Sequence, residues 1–143
     1  MDAPQAIFYP VIVLAMWTGI VLFITAYRRI GAVRARTLRP SAFKLGDSQD
    51  VPEHIALANR NLMNLLEMPV LFYVVVLAEY VTGNVAPLAL ILAWLYVGLR
   101  LAHSIVHLTT NHILLRLSAF AASNLVLLGL WVDFAVRLSS HRV

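Results

Sequence analysis

Three polar side chains, Arg60, Asn64 and Glu67, lie in a stretch that is otherwise apolar enough to be buried in a lipid bilayer. On an α-helix, their spacing places all three on one face, here called the first polar stripe. A charged side chain at the centre of a bilayer costs at least about 2.5 kcal/mol on insertion scales. We therefore expect this stripe to face protein, water or a polar ligand instead of lipid.

A second polar stripe follows further along the chain, on one face of another predicted helix. It consists of Tyr96, Arg100, His103 and His107. Arg116 begins the next predicted helix just beyond a turn, and Arg28 ends the first apolar segment. If these helices pack side by side, one end of the bundle collects a set of candidate site residues: Arg28, Arg60, Asn64, Glu67, Arg100, His103, His107 and Arg116.

This set contains four arginines and a single glutamate, so it carries surplus positive charge. Guanidinium groups bind carboxylates with paired hydrogen bonds, and Glu67 could hold an ammonium group or a neighbouring arginine. The wall around such a pocket would be lipid and apolar side chains. The residues therefore predict a polar anionic substrate and a lipophilic substrate that meet at the membrane edge.

Each of these groups also has a structural interpretation. The first polar stripe could be a polar network that fixes helix packing, and Arg100 could form an ion pair inside the bundle. His103 could be a hydrogen-bonded packing residue. Arg116 could anchor the membrane edge by reaching lipid phosphate.

His103 and His107 also have the i, i+4 spacing of a metal-binding pair. With Glu67 they could form a three-ligand site. The surplus of arginines argues against a bound cation, so we predict no metal.

The composition indicates where these residues must be placed. The chain has 143 residues, of which 61% are hydrophobic and 13% are charged, whereas soluble domains carry about 25% charged residues. This predicts an integral membrane protein with one domain over residues 1–143. Without cysteine, neither a disulfide nor a cysteine nucleophile is available. Basic residues cluster at a predicted membrane edge, which favours anionic lipid over nucleic acid as a partner.

Four apolar segments predict an all-α, up-and-down bundle of four transmembrane helices. Pro69 is expected to kink the second helix, and short turns at 82–84 and 109–111 join the last three. The positive-inside rule places the basic first loop and the site in the cytoplasm, with both termini on the opposite side. The predicted spans cover residues 7–29, 52–81, 85–108 and 112–138.

Taken together, these motifs resemble those of the MAPEG family, the membrane-associated proteins in eicosanoid and glutathione metabolism. One match is an Arg-x-x-x-Asn-x-x-Glu pattern with a following proline, at Arg60, Asn64, Glu67 and Pro69. Another resembles the later Arg-x-x-His-x-x-x-Tyr segment, at Arg100, His103 and His107. A further arginine of the microsomal glutathione transferases and prostaglandin E synthase falls on Arg116.

The resemblance implies a homotrimer whose sites lie between neighbouring subunits and bind glutathione near the cytoplasmic face. The implied glutathione ligands are Arg60, Asn64, Glu67 and Arg100, with His103, His107 and Arg28 as further candidates. Arg116 is the implied counter-ion of the glutathione thiolate. The implied function is a detoxifying transferase or peroxidase for small lipophilic electrophiles or lipid peroxides, in a bacterial inner membrane or its equivalent.

One position departs from the resemblance. His107 stands where the transferases and eicosanoid enzymes carry a tyrosine, and histidine is shorter and titrates near neutral pH. Since a fold does not fix catalysis, the alternative function is a non-catalytic membrane protein that binds lipid or serves as a scaffold.

Overall fold

The computed structural model describes residues 4–44 and 48–140, and over these residues the regular structure is entirely helical. The predicted domain also includes residues 1–3, 45–47 and 141–143, which lie outside the described residues. The helices are α1 (Phe8–Arg34), α2 (Glu53–Glu67), α3 (Pro69–Val81), α4 (Pro87–Leu108) and α5 (Ile113–Ser140). Short 3-10 turns precede α1 and lie in the loop after it.

These helices make four segments that are long and apolar enough to cross a membrane. They are Pro4–Arg34, Glu53–Val81, Pro87–Leu108 and Ile113–Ser140. The predicted all-α bundle with four membrane spans is confirmed.

The second span is divided at the predicted proline. α2 ends at Glu67 and α3 begins at Pro69, because proline lacks the N–H for a helical hydrogen bond and its ring clashes with the preceding turn. Met68 between them keeps helical dihedral angles, φ −63° and ψ −36°. The two helices therefore continue as one span with a one-residue interruption just past the first polar stripe.

The first span is longer than the sequence predicted. Its predicted end was residue 29, followed directly by a basic loop, but α1 continues to Arg34. Arginine is a good helix former and Gly31 costs only about 1 kcal/mol inside a helix, so neither ends α1. The chain leaves the helix just before Arg36, whose φ of +56° is incompatible with a right-handed helix.

Apolar residues from all four spans form a common core. The largest of these buried side chains include Leu14, Leu65, Phe72, Tyr96 and Leu130. Small residues such as Ala89 and Ala93 let α4 pack closely against its neighbours. Many large apolar side chains remain exposed, for example Phe23 and Leu114 at 75% and 71%. A bilayer solvates such a surface, as expected of a protein with several membrane spans.

One buried hydroxyl links three helices. Trp17 of α1 and Asn61 of α2 both donate to Ser104 Oγ of α4, at 2.8 and 2.7 Å. Asn61 and Ser104 are fully buried. A serine hydroxyl can accept two hydrogen bonds, so this side chain fixes α4 against α1 and α2 beside the second polar stripe.

We expect Ser104→Ala to lower the free energy of unfolding by about 1–2 kcal/mol, because two buried donors lose their acceptor. Denaturant unfolding of the detergent-solubilised protein measures this change. Ser118→Ala is the matched control, since Ser118 is exposed and donates to the Leu115 carbonyl of its own helix. Equal losses in the two variants would contradict the link.

A second polar cluster lies toward the opposite end of the spans. Arg137 Nη2 of α5 contacts Glu79 Oε1 of α3 at 2.7 Å and Asp133 Oδ2 at 2.6 Å. Arg137 Nη1 also donates to the main-chain carbonyl of Asn84. Glu79 is completely buried. This cluster ties α3 to α5 and to the α3–α4 turn.

Candidate functional site

The two polar stripes open onto one pocket between α2, α4 and α5, with a cavity volume of about 450 Å³. Most of the predicted site residues are on its wall. The lining side chains are Arg60, Met63, Asn64, Glu67, His103, His107, Ile113, Arg116, Leu117 and Phe120. The pocket therefore combines charged groups from three helices with apolar side chains.

α2 presents the first polar stripe because the helix is amphipathic. Ile55, Leu62 and Leu65 are buried against the bundle. Arg60 and Glu67, on the pocket side of the same helix, are exposed. Their guanidinium and carboxylate are accessible to a ligand in the pocket.

Arg100 is completely buried and lies behind the pocket wall. Its Nη2 donates to the main-chain carbonyl of Asn64, and its guanidinium carbon is 5.7 Å from the centroid of the Phe120 ring. Within the described part of the chain, Arg100 Nε and Nη1 have no hydrogen-bond partner. Arg100 thus fixes the main chain at Asn64 and places a buried positive charge behind the pocket.

The expected alternative, an ion pair between Glu67 and Arg100, is not formed among residues 4–44 and 48–140. The two charges are still near enough to interact electrostatically. Since no carboxylate contacts Arg100 there, its charge adds to the positive bias of the pocket.

His103 joins the second polar stripe to α5. Its Nδ1 is 2.9 Å from the main-chain carbonyl oxygen of Arg116. A carbonyl can only accept, so Nδ1 carries the proton of this hydrogen bond. The His103 ring also packs beside His107, with centroids 5.7 Å apart. His103 is therefore both a lining residue and a support for the first turn of α5.

Arg116 is half-buried, and its side chain is held by the preceding turn. Arg116 Nη1 donates to Asn111 Oδ1 at 2.7 Å. Sequence reasoning treated Asn111 only as part of a turn. Its one recognisable signal is its residue type, because asparagine is enriched among residues with positive φ, and Asn111 has φ +48°.

Arg28 is not among the residues that line this pocket. Its Nη1 donates to the main-chain carbonyl of His54 at 2.6 Å, at the start of α2. Nearby on α1, Thr25 Oγ1 is 3.2 Å from the Ala58 carbonyl oxygen. Within one chain Arg28 thus contributes to α1–α2 packing, and its role as a ligand stays a prediction.

The arrangement favours a ligand with negative charge. Arg60 and Arg116 line the pocket and Arg100 lies behind it, whereas Glu67 supplies the one carboxylate among the described lining residues. The apolar wall includes Leu117 and Phe120, which suits a lipophilic molecule. In the described part of the chain, no group of three or more His, Asp or Glu side chains is placed to hold a metal ion.

Four membrane-spanning segments make this a multi-pass integral membrane protein, and the described residues that line the pocket at one end of them include more arginines than carboxylates. A family model described as the MAPEG family matches residues 7–136. The chain belongs to the MAPEG family, whose members are membrane proteins of glutathione and eicosanoid metabolism. No curated protein and no solved structure matches the chain.

Proposed function

We propose that this protein is a glutathione-dependent transferase or peroxidase of the membrane, acting on small lipophilic electrophiles or lipid peroxides. The observation that carries the proposal is the convergence of both polar stripes and Arg116 on one pocket. Arginines outnumber carboxylates there, and apolar side chains complete the wall. This combination suits two substrates of opposite polarity.

Glutathione carries two carboxylates, one ammonium group and one thiol. We expect Arg60 to bind a carboxylate and Glu67 to bind the ammonium, with the amide of Asn64 on the same pocket wall. Arg100 donates to the main-chain carbonyl of Asn64 behind these three residues, and its positive charge attracts anions. The cavity of about 450 Å³ lies within the usual 300–1,000 Å³ of small-molecule sites.

Arg116 is the proposed counter-ion of the glutathione sulfur. A free thiol has a pKa near 8.5 and is mostly protonated at neutral pH. A guanidinium beside the sulfur favours the thiolate, and each pKa unit corresponds to about 1.4 kcal/mol. Because the chain contains no cysteine, the nucleophile belongs to the co-substrate.

Two reactions follow from a bound thiolate. With an electrophile, the sulfur forms a bond to carbon and the leaving group departs with its electron pair. With a lipid peroxide, the sulfur attacks the outer oxygen and the O–O bond breaks, which yields a lipid alcohol after protonation and glutathione sulfenic acid. A second glutathione then displaces hydroxide, which is protonated to water, and glutathione disulfide forms.

His107 replaces the family tyrosine in this pocket. It lines the wall beside His103 and Arg116, and its Nδ1 is buried without a hydrogen-bond partner in the described part of the chain. We propose that His107 hydrogen-bonds glutathione from this wall.

The assembly is proposed as a homotrimer of single-domain subunits, with the basic loop and the site on the cytoplasmic side. In the proposed trimer, a neighbouring subunit completes the wall of this pocket at the edge of the bundle. Arg28 is a further candidate ligand at such a shared site.

Rapid mixing with glutathione tests the proposed chemistry. The wild-type protein is expected to produce a rise in ultraviolet thiolate absorbance at neutral pH, with release of about one proton per occupied site. Absence of this rise at saturating glutathione would contradict thiolate stabilisation.

The second candidate is a non-catalytic protein that uses the same pocket to bind a lipid. The observation that favours it is His107, because a histidine in place of the tyrosine changes the wall of the pocket. Such a protein would bind an acidic amphiphile without producing a glutathione thiolate.

A further inference from the structure

We infer that Asn111 is the positioning residue for Arg116, and that it orients the guanidinium through a neutral acceptor that leaves its charge uncancelled. The inference rests on the proposed role of Arg116 as counter-ion to the glutathione sulfur. It assigns a function in that site to the turn between α4 and α5.

Arg116 is held at two points. Its guanidinium Nη1 donates to Asn111 Oδ1 at 2.7 Å, and its main-chain carbonyl accepts from His103 Nδ1 at 2.9 Å. An arginine side chain loses much rotamer freedom when it is fixed. With both ends constrained before a ligand arrives, less of this entropy is lost when an anion binds.

The position of Asn111 is itself fixed by the turn. Its main-chain N–H donates to the Val106 carbonyl at 2.8 Å, and its φ of +48° lies in the left-handed region. Asparagine tolerates this region better than most residues with a Cβ atom. The backbone therefore places the amide oxygen next to the guanidinium of a residue on the first turn of α5.

The chemical type of the acceptor matters. A guanidinium has five N–H donors, so one bond to an amide leaves four for a ligand and keeps the full positive charge. A carboxylate at the same place would form a charge-assisted pair with Arg116 and would oppose a thiolate nearby. An amide holds the arginine in place without competing for its charge.

Two substitutions separate positioning from a purely structural role of the turn. Asn111→Gly removes the acceptor while allowing the positive φ at no steric cost. Asn111→Asp keeps the size of the side chain and its tolerance of the left-handed region but adds a negative charge. Thr110→Ala is the matched control in the same turn, where Thr110 is exposed.

The measurement is a pH titration of thiolate absorbance with glutathione bound, alongside the thermal unfolding midpoint of each variant. Asn111→Gly is expected to raise the apparent pKa of the bound thiol by about one unit, so that about tenfold less thiolate is present well below that pKa. Asn111→Asp is expected to raise it further, and Thr110→Ala to match the wild type. In turnover assays, both Asn111 variants should lose more in kcat than in glutathione KM.

The outcomes distinguish the inference about Asn111 from the proposed role of Arg116. If Arg116→Ala suppresses the thiolate but both Asn111 variants titrate like the wild type, Asn111 does not position Arg116 and the proposed function stands. Because a carboxylate bonded to the Arg116 guanidinium should oppose the thiolate, a wild-type titration for Asn111→Asp overturns the inference even if Asn111→Gly unfolds. If the wild type forms no thiolate, or Arg116→Ala leaves it unchanged, the proposed role of Arg116 itself is wrong.

Discussion

Replacing Arg116 by alanine is expected to lower kcat/KM for conjugation of glutathione to a small aromatic electrophile by about 10²–10³-fold. Removing one preorganised group that stabilises negative charge in an active site has effects of this size. Arg116 lines the pocket and is already fixed by Asn111 and His103. The loss should appear mainly in the chemical step, because the other pocket residues are still expected to bind glutathione.

The same substitution is expected to change how the rate depends on pH. Without the guanidinium, the thiol pKa rises toward its free value near 8.5, so the rate of Arg116→Ala should increase with pH where the wild-type rate is already level. Arg116→Lys keeps the charge but loses the planar fork, and its rate should be intermediate. Arg34→Ala is the control, because Arg34 is exposed on α1 and does not line this pocket. An Arg116→Ala enzyme with the wild-type rate and pH profile would contradict the assignment.

Replacing Arg137 by leucine is expected to destabilise the protein by about 3–5 kcal/mol. Arg137 contacts both Glu79 and Asp133, and Glu79 is completely buried. Removing one partner of a buried pair leaves an uncompensated charge, which costs far more than the pair itself contributes. Denaturant unfolding in micelles measures the loss.

The double variant Arg137→Leu with Glu79→Gln is the matched control for this prediction. It removes both charges, so much of the lost stability should return. The fraction of either variant that remains folded should bind glutathione like the wild type, because the cluster lies toward the opposite end of the spans. If the single and double variants are equally unstable, the Glu79–Arg137 pair is not the source of the effect.

Helical periodicity predicts which side chains share a face of each helix. Arg60, Asn64 and Glu67 line the pocket from one face of α2, and His103 and His107 line it from one face of α4. Hydropathy predicted the four spans, because apolar segments of this length are typical of transmembrane helices. The interruption of the second span at Pro69 was predicted because proline cannot donate a helical hydrogen bond.

Helical periodicity does not predict how deeply each side chain on a shared helix face is buried. Arg100 lies on the same face as His103, yet it is buried behind the wall while His103 lines the pocket. Periodicity fixes the direction of a side chain but not how far a long arginine reaches or which carbonyl it meets. The interaction of Arg100 with the Asn64 carbonyl is therefore visible only in three dimensions.

Contacts between distant parts of the chain left no pattern in the sequence. Glu79 and Arg137 are 58 residues apart, and each looks like an isolated charge near the end of a helix. Asn111 resembles any turn asparagine until its amide oxygen is found on Arg116. The extension of α1 to Arg34 is not evident from the sequence, because basic residues at a membrane edge fit a loop as well as the last turns of a helix.

Calorimetric titration with glutathione tests most directly whether the two polar stripes form a binding site. The purified protein should give saturable heat at millimolar or lower glutathione, and Arg60→Ala and Glu67→Gln should each weaken binding by about tenfold or more, as expected for hydrogen bonds to charged groups. Ser118→Ala should bind like the wild type. No heat from the wild type at millimolar glutathione, or unchanged affinity in both pocket variants, would contradict the account.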